Sequence, residues 1–363
     1  MLKLRRGLVV EVQDAHGPAR EQALRVELSG EPTAVRQAIA DTGLVGRCEV
    51  GDEVVVNVQA LDLGLGSGGF DIVHANLTRG LGGDGLPGAH VMKLNYTSLQ
   101  HAVVPVEGAE MHLPLARPVA VLALHGQLAP VACAFAQAVP GLRVGFVQTE
   151  GGALPGGHSY TVAALRERGL LAGHITAGAA FGGEAESLTT AGALHHALRA
   201  LDWHAAICGP GPGIVGSSSA LGHGGMAALD ASHVALALGC PTVLVARMSS
   251  ADQRERHRGI SHHTLTVLDL LLAPVIVALP TALDVERPAC VTRHDWRRTS
   301  VDLPAFAGSG LATRIMGRTL TEDPLFFAAA LAGGTALAEQ AAETAAATSR
   351  QVASATARER AGD

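Results

Sequence analysis

Over the first sixty residues apolar and polar side chains alternate with a period of two. Residues 7–12, 23–28 and 54–58 are short β-branched runs separated by Gly, Asp and Pro, the pattern of half-buried strands joined by tight turns. The turn Val50-Gly51-Asp52-Glu53 before the third run suits a small antiparallel barrel. Residues 1–60 therefore predict a β-rich, barrel-like subdomain. Residues 61–116 break the alternation. LGLGSGGFDIVHANLTRGLGGDGLPGAH is too glycine-rich for a regular element and reads as a covering loop. MKLNYTSLQHAVVPVEG reads as one or two extra strands bridging the two parts.

From residue 117 the period changes. Apolar runs at 118–124, 143–148, 171–176, 204–208, 241–246 and 274–279 predict strands. Between them, 128–139, 158–168, 187–201, 225–238 and 262–272 carry helical spacing. Strands that are apolar throughout, alternating with helices, imply a parallel sheet covered on both faces. Residues 117–280 thus predict an α/β domain, Rossmann-like or flavodoxin-like, doubly wound about a mainly parallel sheet. Residues 281–334 hold a basic segment, 292–298, and the aromatics Trp296, Phe306, Phe326 and Phe327, so they are expected to pack back on the core. The Ala-rich stretch 335–363 predicts a solvent-facing helix or coil with no chemistry of its own.

Composition narrows the function. The chain has 363 residues, 48% hydrophobic and only 17% charged, with a formal net charge of −6. A phosphate backbone demands a basic face, so a generic nucleic-acid binder is not expected. A membrane role is not expected either, because the longest apolar stretch, 265–280, carries Asp269 and is broken by Pro274. The N-terminus lacks the long apolar run of a signal peptide. Cys48, Cys133, Cys208, Cys240 and Cys290 form no CxxC pair, which points to reduced thiols and a cytoplasmic protein. So few charges in a chain of this size predict a buried subunit interface, hence a homodimer.

The surplus residues are 44 Gly and 17 His, and they mark a place. In an open α/β sheet ligands bind outside the carboxyl ends of the strands. There the first strand yields His125, the second Glu150, the fourth the loop Cys208–Gly225 and the fifth a run from Arg247 to His263. Gly211-x-Gly213-x-x-Gly216 is formally a dinucleotide fingerprint, but it belongs to the fourth strand and the next strand ends in Arg247 rather than an acid, so NAD(P) is not indicated. The loop instead offers open amides at Gly211, Gly213 and Gly216 and hydroxyls at Ser217, Ser218 and Ser219, which suit a phosphate or carboxylate. The alternative is a connection whose glycines only permit close packing.

Arg247, Arg254 and Arg258 would neutralise the anion, and His223, His257, His262, His263 and Glu150 are the acid/base candidates. Ser261 is a candidate helix cap placing His262 and His263 in a first turn. The same histidines, with Glu150 or Asp252, could assemble a divalent metal site, but the neighbouring arginines argue against a dication. A Ser/His/acid hydrolase from Ser217 or Ser219 lacks its GxSxG elbow, and Cys208 at a strand end reads as a small buried residue before it reads as a nucleophile.

GSGGFDIVHANL, GAHVMKLNYTSLQ, GPGPGIVGSSSALGHGG, RMSSADQRERHRGISHHT and MGRTLTEDPLFF, in this order, resemble an uncharacterised, mainly actinobacterial family catalogued as a domain of unknown function. The resemblance extends to about residue 334. It implies a soluble bacterial protein and carries over no activity, cofactor or catalytic residue. The expectation is therefore an enzyme acting on a small anionic metabolite by hydrolysis or group transfer. Its alternative is a non-catalytic ligand-binding or regulatory oligomer with the same pocket.

Overall fold

The computed structural model describes residues 1–13, 20–30, 34–65, 68–83, 85–217, 219–281, 283 and 291–361. The chain divides into two compact units, one of residues 1–104 with 155–163, the other of 105–154 with 164–363.

In the first unit β1 (Leu4–Val12), β2 (Glu21–Leu28), β3 (Val35–Asp41), β4 (Glu53–Asn57) and β5 (Asp71–Asn76) form a closed barrel in the order β1-β2-β3-β5-β4. β3 and β5 run parallel, and β4 closes antiparallel on β1. Alternate side chains, among them Val9, Leu24, Val26, Val54, Val56 and Val73, fill the interior. The barrel thus continues past residue 60, because it needs Asp71–Asn76 as its fifth strand. Short helices α1 (Thr42–Val45) and α2 (Gln59–Asp62) join its strands, and β6 (Val91–Lys93) pairs with β7 (His101–Val103).

The second unit alternates β8 (Val119–Leu122), α3 (Leu128–Ala138), β9 (Val144–Thr149), α4 (Tyr160–Glu167), β10 (His174–Ala177), β11 (Ala185–Ser187), α5 (Thr190–His195), β12 (Ala205–Pro210), α6 (Ala227–Ala237) and β13 (Thr242–Val245). A small pair follows, β14 (Met248–Ser249) with β15 (Gly259–Ile260), then α7 (His262–Leu270), β16 (Ile276–Pro280), β17 (Asp295–Thr299), α8 (Leu303–Ala307), the hairpin β18 (Arg314–Ile315) and β19 (Arg318–Thr319), and α9 (Pro324–Ala361). Eight strands form one sheet in the order β11-β10-β9-β12-β8-β13-β16-β17. Every neighbouring pair in it is parallel. The central strands are buried along their whole length, as their unbroken apolar runs require. α5, α6 and α7 pack side by side in one layer, while α3 lies against α9 in another.

α9 corrects the reading of residues 335–363 as a solvent-facing tail over its first turns only, since residues 342–350 are exposed or half-buried. It runs through Gly334 without a break, and Ala336, Leu337, Ala338 and Ala341 are buried. Gly333 and Gly334 are close-approach positions. A Cβ on Gly334 would strike the Val131 carbonyl of α3, and one on Gly333 would meet Val245 of β13. Each glycine costs about 1 kcal/mol of helix propensity, which the tight helix–helix and helix–sheet contact offsets. The part Pro324–Arg350 has the length and hydropathy of a membrane span, yet 78% of its most apolar window is buried inside the protein, the setting of a core helix.

Candidate functional site

The carboxyl ends of β8 and β13 are locked together by one buried side chain. Gln127 accepts hydrogen bonds at Oε1 from the amides of Ala123 and Leu124, 3.1 Å each, and donates from Nε2 to the carbonyls of Val245 and Ala246, 3.2 Å each. Beside it, Gly126 has no side chain, which leaves room for Ile315 of the β18–β19 hairpin.

The chain leaving β13 folds back on itself through β14 and β15. The Arg247 amide donates to Thr264 Oγ1 at 2.9 Å, and the Ser261 amide donates to the Arg247 carbonyl at 2.9 Å. Ser261 caps α7 by accepting from the His263 amide, as its place before two histidines predicts. Its hydroxyl also lies 2.8 Å from His257 Nδ1. These bonds gather four imidazoles. His223 stacks on His263 with ring centroids 3.4 Å apart and planes 10° from parallel. His262 lies 4.3 Å from His263 and 4.9 Å from His257, and His257 lies 4.8 Å from His263.

Arginines surround the cluster. Arg247 is 4% exposed and donates from Nη1 to His263 Nδ1 at 2.9 Å. Asp252, 2% exposed, is the counterion at the centre. It accepts from Arg254 Nε and Nη2 at 3.0 Å each and from Arg318 Nη2 at 3.5 Å, with Arg247 Nη2 3.8 Å away. Asp323 accepts from Ser249 Oγ at 2.6 Å, from the Ser250 amide at 2.8 Å and from Arg318 Nε at 3.0 Å. Burial alone would raise the Asp252 pKa; the hydrogen bonds and charge of Arg254, with Arg318, outweigh it and hold the carboxyl below its usual range. Burial, with Arg254 adjacent, brings Arg247 down to about 10, so it stays protonated at neutral pH.

A guanidinium can only donate, so His263 Nδ1 carries a lone pair and its ring is neutral. Burial first, then His223 and Arg247, push its pKa down to about 2. Burial and then Arg247 bring His257 to about 4, and burial is also the largest cause lowering His223 and His262. His223 Nε2 sits 3.0 Å from the Ala220 carbonyl, which makes Nε2 the protonated nitrogen and leaves the lone pair on Nδ1. That Nδ1 and His262 Nε2 are buried without a hydrogen-bond partner among the described residues. One ring nitrogen from each of His257, His262 and His263 lies within 4.8 Å of the other two, a spacing that three metal-ligating imidazoles could adopt.

The structure brings together His223, His257, His262, His263, Arg247 and Arg254 as the loop reading expected, with Arg258 beside them, its Nε 2.9 Å from the Asp252 carbonyl. Others among the candidates stand apart. Glu150 is exposed, and no hydrogen bond or ion pair among the described residues joins its carboxylate to the imidazoles. His125 is buried with Nδ1 3.2 Å from the Pro210 carbonyl and its ring against Phe146. Ser217 and Ser219 spend their hydroxyls on their own turn, Ser217 donating to the Gly222 carbonyl and Ser219 accepting from the Leu221 and Gly222 amides. Ser218 lies outside the described residues. His223 meets Ala220 rather than a serine hydroxyl, which removes the geometry of a Ser/His pair. Cys208 is fully buried and its thiol is pushed up to about 12 by burial, the setting of an inert core residue.

The loop glycines behave as packing allowances. A Cβ on Gly211 would strike the Ala153 carbonyl, and one on Gly224 the Gly151 carbonyl, while Gly213 takes the left-handed φ of +70°. Gly216 bridges to His223 across the turn. Gly224→Ala is therefore expected to lower the unfolding free energy by about 1–3 kcal/mol by forcing two backbones apart. An unchanged urea midpoint would show that the loops have room to spare.

Sequence reasoning missed Gln127, Arg318 and Asp323. The signal for the last two lay in MGRTLTEDPLFF, which was expected to pack back on the core, but nothing in its spacing tied Arg318 to Asp252. Met316 joins the site too, its sulfur 3.9 Å from Arg247 Nη2.

Fold and site together define an α/β protein with an appended five-stranded barrel and a histidine–arginine cluster at the carboxyl edge of its parallel sheet. The chain belongs to the protein family of unknown function DUF3866, whose family model matches residues 37–334. No curated protein and no solved structure matches it.

Proposed function

We propose that this edge binds a small anionic metabolite, a phosphate or carboxylate, and transforms it by hydrolysis or group transfer with imidazole as proton carrier. The observation that carries the reading is the pair of buried nitrogens, His223 Nδ1 and His262 Nε2, without a partner among the described residues and set among arginines. A buried polar atom without a partner costs about 1–3 kcal/mol, and a hydroxyl of the ligand or an attacking water supplies the missing donor. Because these rings are held neutral, each presents a lone pair at neutral pH as a weak base, and the charge of a bound anion would favour its imidazolium form. Among the described residues Arg247, Arg254, Arg258 and Arg318 are set against the carboxylates of Asp252 and Asp323, with Glu322 in the field of Arg318, which leaves positive charge in surplus. We read the sheet as Rossmann-like and doubly wound, although β12 is inserted between β9 and β8 and the order departs from 3-2-1-4-5-6. β8 connects toward β9 while β13 connects the other way toward β16, and ligands favour such a reversal of winding.

A thermal-shift panel of inorganic phosphate, phosphate monoesters and small dicarboxylates tests the proposal. At a hundredfold excess over the dissociation constant the correct class stabilises the protein by about 2.7 kcal/mol. Arg258→Gln is expected to lose most of that response. No response to any anion, or an undiminished response in Arg258→Gln, refutes the reading.

A further inference from the structure

We propose that His257, His262 and His263 hold one divalent transition-metal ion, of the Zn²⁺ or Co²⁺ class, with a coordination position left open to water. The inference rests on the reading of this edge as a reaction site and names the reactive group within it. The three nitrogens lie within 4.8 Å of one another, and a shift of each by up to about 1 Å would bring them to the separations of imidazoles sharing one tetrahedral ion. Their ring centroids lie 4.3–4.9 Å apart, so the three rings already share one small volume. The second observation is independent of that spacing: His262 Nε2 is buried and meets no donor among the described residues, which a cation would remedy.

The outer contacts fit as well. Ligating imidazoles use their second nitrogen on an oxygen nearby, and His257 Nδ1 has Ser261 Oγ at 2.8 Å. Ser261 in turn is fixed as the cap of α7, so ring and helix are oriented by one hydroxyl. Neutral imidazoles without thiolates suit Zn²⁺, Co²⁺, Ni²⁺ or Cu²⁺ rather than Mg²⁺ or Ca²⁺. Three histidines with an open position are the donor set of a catalytic rather than a structural zinc site, one that brings a bound water to a pKa near 7.

The arginines are the physical objection, and the structure partly answers it. Asp252 neutralises charge from Arg254 and Arg318, and Asp323 pairs with Arg318. Arg247 is the direct competitor, because its Nη1 occupies the lone pair of His263 Nδ1. Its Nη2 is 3.8 Å from Asp252 Oδ2, so a movement of about 1 Å would complete that ion pair and release His263. Metal loading is thus coupled to which partner Arg247 holds.

Titration of the chelator-treated full chain with Co²⁺ at neutral pH, followed by its visible absorption, tests the inference. One Co²⁺ per chain with nitrogen-ligated bands, displaced by Zn²⁺, is expected. His257→Gln and His262→Gln should each weaken Co²⁺ by at least about tenfold, with far-UV circular dichroism unchanged, while the exposed His90→Gln binds as wild type. Absence of the bands, or wild-type affinity in both cluster variants, overturns the site. A response to anions without Co²⁺ binding refutes the metal and leaves the anion reading standing; Co²⁺ binding without any anion response does the reverse.

Discussion

Asp252→Ala is expected to cost about 3–5 kcal/mol of unfolding free energy, read from urea denaturation at neutral pH, and to abolish anion binding with it. The size follows from burial. Arg247 and Asp252 are 5% and 2% exposed at their side chains, and removing the carboxylate leaves a guanidinium in a nearly dry site whose remaining contacts among the described residues are His263 and Met316, with Asp323 acting on it only at longer range. Arg254 contributes little to that cost, because its side chain is half exposed and water compensates it. Arg318 keeps Asp323. The cost should therefore trace to Arg247. A double variant, Asp252→Ala with Arg247→Met, is expected to recover much of the lost stability without recovering anion binding. If the single variant loses less than about 1 kcal/mol, the ion network does not hold the site together.

The second large effect is acid lability set by two core histidines beneath the site. His174 stacks on Phe146 with its Nε2 3.2 Å from Gln148 Oε1, and His125 lies on the other contact of the same phenyl ring. Burial lowers His125 to about 4; burial and then His125 lower His174 to about 3. In the unfolded chain both titrate near 6.5. Between pH 6.5 and 4 the unfolded state binds more protons, so stability is full above pH 6.5 and falls with acid. Each proton contributes about 1.4 kcal/mol per pH unit, or about 2–3 kcal/mol per unit for this pair, and His257 and His263, also lowered chiefly by burial, steepen the slope further. Most carboxylates titrate below this window. Denaturation midpoints measured from pH 7 to pH 5 should show the slope, and His174→Gln, which can still reach Gln148, should lower it by one histidine's share, about 1 kcal/mol per pH unit. A flat profile would mean that these rings are protonated in the fold.

What could be read from the sequence followed burial. The strands buried on both faces, β8, β9, β12, β13 and β16, announce themselves as unbroken apolar runs, and the intervening helices by their spacing. The edge strands did not. β17 is Asp295-Trp296-Arg297-Arg298-Thr299, polar because one side of it has no neighbour, and β11 is three residues long. β5 was missed for a different reason: Asp71 and Asn76 are buried polar ends of a barrel strand. The histidines were legible as a site because they crowd one loop. Arg318 and Asp323 were not, since they reach Asp252 and Ser249 from 66 and 74 residues away. Gly211, Gly213 and Gly216 suit an anion cradle by sequence, with close packing as the alternative, and Gly211 does let loop backbones touch.

The central claim is that neutral imidazoles with vacant nitrogens face a small anion at the carboxyl edge of the sheet. Imidazole ¹⁵N spectra of histidine-labelled protein, recorded at neutral pH during titration with inorganic phosphate and the tightest anion of the panel, test it most directly. The account predicts neutral rings at His223 and His262, each with one proton-free nitrogen whose resonance moves as the anion binds. Imidazolium signals from both residues, or resonances unmoved by every anion, would contradict it.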